Sequence, residues 1–85
     1  MAVMQLSFFS DYALRVLMYL AVAGGRQVPA REIAERYRLS FDHVAKIVQF
    51  LGREGFVKTS RGRGGGMRLA RPPAQISIGD VLRRA

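Results

Sequence analysis

Apolar residues recur at helical spacing near the start of the chain, at Leu6, Phe9, Ala13, Val16, Leu17 and Leu20. The spacing predicts a helix over about residues 8–23, ended by Gly24-Gly25. Phe8, Leu14, Met18, Tyr19 and Val22 fill its other faces. A helix that is apolar all round has to be covered on more than one side. A small domain covers one side well, so the rest predicts a second copy of the chain, that is, a homodimer. Val28-Pro29-Ala30 opens a second helix over about 29–37, since proline is accepted in a first helical turn. Ile33, Ala34 and Tyr37 give it a narrow apolar stripe, and Arg38-Leu39-Ser40 makes a short turn. Ser40 can cap a third helix over about 41–53, with Asp42 favourable in its first turn and Gly55 near its stop. In that helix Val44, Ile47, Val48 and Leu51 are spaced i, i+3, i+4, i+7 and face the core.

After Gly55 the helical period is lost. Residues 57–70 read as two short strands around a glycine-and-arginine loop, where glycine permits the positive φ of a tight reversal. Pro72-Pro73 then breaks the chain. Ser77 can cap a last helix over 78–85, with Asp80 three residues on as a short capping-box partner. That helix meets no stop signal, so the chain is read as the front of a longer protein whose C-terminal dimerisation region is absent. No internal repeat is present. The expected fold is a single domain over 1–85, mainly α with a small β-hairpin, in the order of a winged helix-turn-helix.

Eighty-five residues suffice for one small domain. Lysine and arginine number 14 against 6 acidic residues, a net charge of +8, and twelve of the 14 are arginine, whose fork matches phosphate and guanine. The surplus is uneven: Arg53, Lys58, Arg61, Arg63, Arg68 and Arg71 face Glu54 alone between residues 53 and 71. A field of that sign attracts nucleic acid or an anionic membrane. The apolar stretch 8–23 includes Asp11 and Arg15 and is too short for a comfortable membrane span. Nothing resembles a signal peptide, so a cytoplasmic protein is expected. With no cysteine, the chain can form neither disulfides nor thiolate metal sites by itself. One histidine, His43, and six scattered carboxylates offer no catalytic constellation, so no enzyme is expected.

Two helices joined by a short turn and followed by a cationic hairpin place the third helix in a major groove of double-stranded DNA. At ~100° per residue, turning Val44, Ile47, Val48 and Leu51 inward points Asp42, Lys46, Gln49 and Arg53 outward, with His43 on one flank and Ala45 on the other. Lys46 can donate to guanine, Asp42 can accept from cytosine, and His43 can do either. Arg53 lies further along and suits a phosphate. Arg61 and Arg63 flank Gly62, and one of them, preferably Arg61, is assigned to a minor groove, the other use being a phosphate clamp. With Ser40 at the helix start, the candidate DNA-contacting set is Ser40, Asp42, His43, Lys46, Gln49, Arg53, Arg61 and Arg63. The glycine loop is no nucleotide-phosphate loop, because Met67-Arg68 stands where Lys-Ser or Lys-Thr is needed, and it lies between strands rather than before a helix.

Ser10-Asp11-Tyr12-Ala13-Leu14-Arg15, Lys46-Ile47-Val48, the Arg61-Gly62-x-Gly-Gly-Gly loop and Ile76-Ser77-Ile78-Gly79-Asp80-Val81-Leu82 together resemble the Rrf2 family, and within it the nitric-oxide-sensitive repressors. The likeness covers residues 4–84, and Met4 matches the family's usual start. It implies a homodimeric transcription repressor that binds imperfect palindromes through the third helix and the wing. Many members hold an iron–sulfur cluster on three cysteines beyond the fourth helix, and those cysteines are absent from this chain. In the nitric-oxide-sensitive members an aspartate in the partner's first helix completes the cluster. Asp11 is the matching residue, with Arg15 one turn on; its other reading is an ordinary i, i+4 ion pair. A family member with another ligand or none remains an alternative. So does a winged helix used as a protein-interaction module, although the arginines of the wing weigh against it. Phe50 departs from the pattern: it stands on the polar side of the third helix, where it can cover an edge of the first helix or of the partner.

Overall fold

The computed structural model describes residues 2–85, and for residues 2–7 the backbone alone. Four helices and one hairpin follow in the order α1 (Ala2–Ala23), α2 (Ala30–Tyr37), α3 (Phe41–Arg53), β1 (Val57–Ser60), β2 (Gly66–Leu69) and α4 (Ile78–Arg84), a winged helix-turn-helix. α1 begins well before residue 8, because nothing in residues 2–7 breaks a helix. The side chain of Leu6, placed in its apolar stripe by spacing, lies outside the described residues. α2 begins one residue later than expected: Pro29 is the extended residue before it (φ −69°, ψ 150°) rather than part of its first turn. A single 3-10 turn, Pro73–Gln75, fills the break before α4.

Each helix end has a local cause. The Ser40 hydroxyl accepts from the His43 N–H at 3.0 Å and starts α3. The end of α3 is a Schellman motif: Phe56 N–H donates to the Leu51 carbonyl at 2.8 Å, Gly55 N–H to the Gly52 carbonyl at 3.1 Å, and Gly55 takes φ +82°. Phe56 and Leu51, the two residues that this motif brings together, are both fully buried. Ser77 caps α4 by accepting from the Asp80 N–H at 3.2 Å. The carboxylate of Asp80 does not complete a capping box. It faces Arg83 at 3.5 Å and Arg84 at 3.4 Å instead, because two cations lie one turn along the same helix.

The core is one cluster. Ala13, Val16, Leu17 and Leu20 of α1 meet Ile33 of α2, Val44, Ile47 and Leu51 of α3, Phe56 just after α3, Val57 and Met67 of the hairpin, and Val81 of α4. Burying aliphatic side chains of this size contributes roughly 1.5–3 kcal/mol each. α1 is therefore covered by the rest of its own domain on more sides than its pattern implied. Leu14 and Tyr19 are half-buried, and among its described side chains the large apolar exposures are Phe8, Met18 and Val22. Phe50 is not on a solvent face. It is buried against Phe9, ring centroids 5.3 Å apart and nearly perpendicular, so it covers an edge of α1.

β1 and β2 are antiparallel, with Val57 opposite Leu69, Lys58 opposite Arg68, Thr59 opposite Met67 and Ser60 opposite Gly66. Val57 and Met67 point into the core while Lys58 and Arg68 are exposed. Val28, between α1 and α2, adds a third position to the sheet: it exchanges two backbone hydrogen bonds with Met67, each 2.8 Å. The wing is thereby tied to the connection that precedes the helix pair.

Candidate nucleic-acid interface

The outward face of α3 is what its spacing predicted. Asp42, Lys46, Gln49 and Arg53 are exposed. Asp42 and Lys46 form an i, i+4 pair at 3.6 Å with both side chains more than two-thirds accessible. Such a pair is worth only about 0.3–0.5 kcal/mol. It holds the two side chains only loosely. Arg53 lies 3.8 Å from Glu54, a carboxylate that Arg84 engages more closely at 2.8 Å. His43 sits on the flank, half-buried, with its ring 6.0 Å from Phe8 and 6.1 Å from Tyr12. Its position is thus shared with α1 rather than given wholly to solvent. Ser40 is exposed, and its hydroxyl keeps a free proton while capping α3.

The wing lies beside the other flank. A cleft of about 330 Å³ is bordered by Val48 of α3, Ala30 of α2 and Thr59, Ser60, Gly62 and Gly65 of the hairpin. At the tip, the Gly65 N–H donates to the Gly62 carbonyl at 2.9 Å, closing a turn whose corner residues are Arg63 and Gly64. Gly64 takes φ +75°, as the third residue of a type II turn requires. Arg63 therefore occupies the corner itself, and Arg61 stands just before the turn. Both are exposed.

Partners inside the molecule separate the cations into two groups. Arg15, Arg26, Lys46, Arg53, Arg83 and Arg84 face carboxylates, and Arg36 and Arg71 lie 5.3 Å over the rings of Tyr37 and Phe56. Among the described residues, Arg31, Arg38, Lys58, Arg61, Arg63 and Arg68 have neither, and four of these six are on the wing. Lys58 and Arg68 stand directly opposite each other across the hairpin, a like-charge juxtaposition that works against strand pairing. An anionic partner would remove that repulsion.

Asp11 is on an exposed side of α1, held by the Arg15 guanidinium at 2.9 Å. The Asp11 carboxylate raises the Arg15 pKa above its ordinary value, first through their hydrogen bond. Among the described residues no three His, Cys, Asp or Glu side chains gather as a metal site. Nor is any described helix long and apolar enough to cross a membrane.

A feature the sequence did not announce fixes the start of the helix pair. Arg26 donates to both oxygens of Glu32, at 3.1 and 2.8 Å, and the Tyr19 hydroxyl donates to the same carboxylate. The carboxyl of Glu32 is thereby lowered to about 2, chiefly by Arg26 and next by Tyr19. Three residues from three different segments build this link, so no local spacing reveals it.

Comparison with known proteins agrees with this geometry. The model of the Rrf2 family, described as iron-dependent transcriptional regulators, matches residues 6–85. The HTH-type transcriptional regulator NsrR of Bacillus subtilis (strain 168) is 45% identical over 82 residues, which are 95% of this chain and 56% of that protein. NsrR of Shouchella clausii (strain KSM-K16) is 40% identical over 82 residues, 95% of this chain and 55% of that protein. The chain thus spans little more than half the length of these relatives. Among solved structures, T. potens IscR superposes with a TM-score of 0.80 at 35% identity, over 89% of this chain and 56% of that one. CymR, the global cysteine regulator of B. subtilis, does so with a TM-score of 0.83 at 31% identity, over 89% of this chain and 60% of that one. With a family match over nearly its whole length and this helix-pair-and-wing architecture, the chain belongs to the Rrf2 family of transcriptional regulators.

Proposed function

We propose that this domain is the DNA-reading part of a cytoplasmic, homodimeric repressor, with the N-terminal half of α3 in a major groove and the wing in the adjacent minor groove. The observation that carries the reading is the unpartnered arginine and lysine of the wing lying beside an exposed polar helix face. Asp42 and Lys46 contact base edges, Ser40, His43, Gln49 and Arg53 line the groove and its sugar-phosphate rim, and one of Arg61 and Arg63, preferably Arg61, enters the narrow groove. Two copies related by a two-fold axis would read a palindromic operator. The exposed Met18 and Val22 of α1 and Ile78 and Leu82 of α4 give a second copy apolar surface to cover.

Two substitutions test the reading. Arg61→Ala is expected to leave the melting temperature unchanged and weaken operator binding by roughly tenfold, as loss of a charge-assisted contact does. Lys46→Ala is expected to lose more affinity for the operator than for duplex of random sequence. Unchanged operator affinity in Arg61→Ala would remove the wing from the account, and equal losses on both duplexes would make Lys46 a phosphate contact only.

We propose that the repressor senses nitric oxide through an iron–sulfur cluster whose thiolate ligands these 85 residues do not supply. The residues present do not make a cluster site: the chain has no cysteine, and Asp11 is a lone carboxylate occupied by Arg15. We propose Asp11 as one ligand given to the partner subunit of a full-length dimer, where a hard oxygen donor beside thiolates would be the readily displaced one. In the full-length, cluster-loaded protein, Asp11→Ala should alter the absorption spectrum or lifetime of the cluster. An identical spectrum and lifetime would rule the role out.

A further inference from the structure

Two helices of this chain end on a left-handed residue closed by a backbone bond spanning five residues, and only one of them uses glycine for it. At the end of α3 the left-handed position is Gly55, at φ +82°. At the end of α2, the Leu39 N–H donates to the Ala34 carbonyl at 3.0 Å, and the left-handed position is Arg38, at φ 55° and ψ 45°. Arg38 is the one non-glycine residue with positive φ among the described residues. That conformation is unfavourable for an L side chain and carries no such penalty for glycine. The fold gains nothing visible in return. The Arg38 side chain is exposed and, among the described residues, has no carboxylate or aromatic partner, unlike Arg36 two residues earlier, which lies over Tyr37.

The position of Arg38 supplies the missing reason. It stands two residues before Ser40, the residue that starts α3. A helix whose first half enters a major groove carries the turn before it against the groove rim, where the phosphates run. We propose that Arg38 is a phosphate-binding arm, its guanidinium engaging the DNA backbone beside the groove that α3 enters. The assignment rests on the DNA-binding reading above. A guanidinium presents two parallel donors to phosphate oxygens, which a lysine or a neutral side chain does not. The arm then acts from the turn, independently of the wing, and fixes the rim while the α3 side chains read bases. Such a contact is blind to sequence and adds affinity rather than base preference.

The test uses the full-length protein, its selected operator and a duplex of mixed sequence, with thermal melting alongside. Arg38→Gly is expected to melt at the same or a higher temperature. It is expected to bind both duplexes roughly tenfold more weakly. Its plot of log affinity against log salt should be shallower by about 0.9 per subunit. Arg38→Lys, which keeps the charge, should keep most of that slope. Arg38→Gly with wild-type affinity and slope would overturn the arm. A lower melting temperature would overturn it too, by showing that the side chain supports the fold. A loss confined to the operator would make Arg38 a base reader and overturn the phosphate assignment. Failure of the wild-type protein to bind either duplex would instead bring down the DNA-binding reading itself, before any variant is compared.

Discussion

Glu32 joins parts of the chain that no helical period connects. Arg26 and Tyr19 both donate to it, which fixes the start of α2 against the end of α1. Its carboxyl titrates near about 2 in the fold, below the ordinary 4.5, so the link stabilises the native state fully above pH 4.5 and is lost as pH falls toward about 2. Glu32→Gln should therefore melt below wild type at neutral pH, with the gap closing across that acid window. Thermal melts at a series of pH values check this, and a gap independent of pH would contradict it. His43 and Phe50 carry a related lesson. Rotation about α3 put both away from the core, and both meet aromatic residues of α1 instead: Phe8 and Tyr12 for His43, Phe9 for Phe50. The period of one helix says which way a side chain points but not which neighbour stands there.

At the level of elements, the hairpin was legible because strand alternation and a glycine loop are local signals. Its anchorage was not. A single bridge between Val28 and Met67 leaves no pattern in the sequence, yet it holds the wing to the segment that precedes the helix pair. Gly66 makes this close approach possible. It takes φ +149°, and a Cβ there would meet the Val28 carbonyl oxygen at 2.5 Å. Gly66→Ala should cost about 1–3 kcal/mol in denaturant unfolding, the scale of a strained backbone position. Amide exchange at Val28 and Met67 should quicken with it. Gly62→Ala is the comparison: its φ is +87°, but a Cβ would meet nothing within 4 Å, so the bridge should stay protected. Equal exchange at Val28 and Met67 in the two variants would show that the wing does not depend on the bridge. α3, by contrast, was legible end to end, from the Ser40 cap through the four apolar positions to Gly55, since each of those signals acts within a turn of its own residue.

Over the whole molecule, charge and apolar surface divide the labour. Among the described residues, four of the six unpartnered cations lie on the wing, next to the polar face of α3. Met18 and Val22 of α1 and Ile78 and Leu82 of α4 remain exposed elsewhere, and Met18 and Ile78 line an apolar groove of about 260 Å³ with Leu14, Leu69 and Ile76. The two kinds of surface fit two kinds of neighbour: a polyanion for the first and protein for the second. The continuous apolar coat of α1 was visible in the sequence, but how much of it the monomer itself covers depended on long-range packing by α3, α4 and β2. The central claim is that α3 and the wing meet one duplex together. Backbone amide chemical shifts followed during titration with the selected operator test it most directly. The account predicts that residues 40–49 and 61–65 shift in step and saturate together, while residues 18–22 stay unmoved by the DNA. Shifts confined to the wing alone, or centred on the apolar face of α1 and α4, would contradict it.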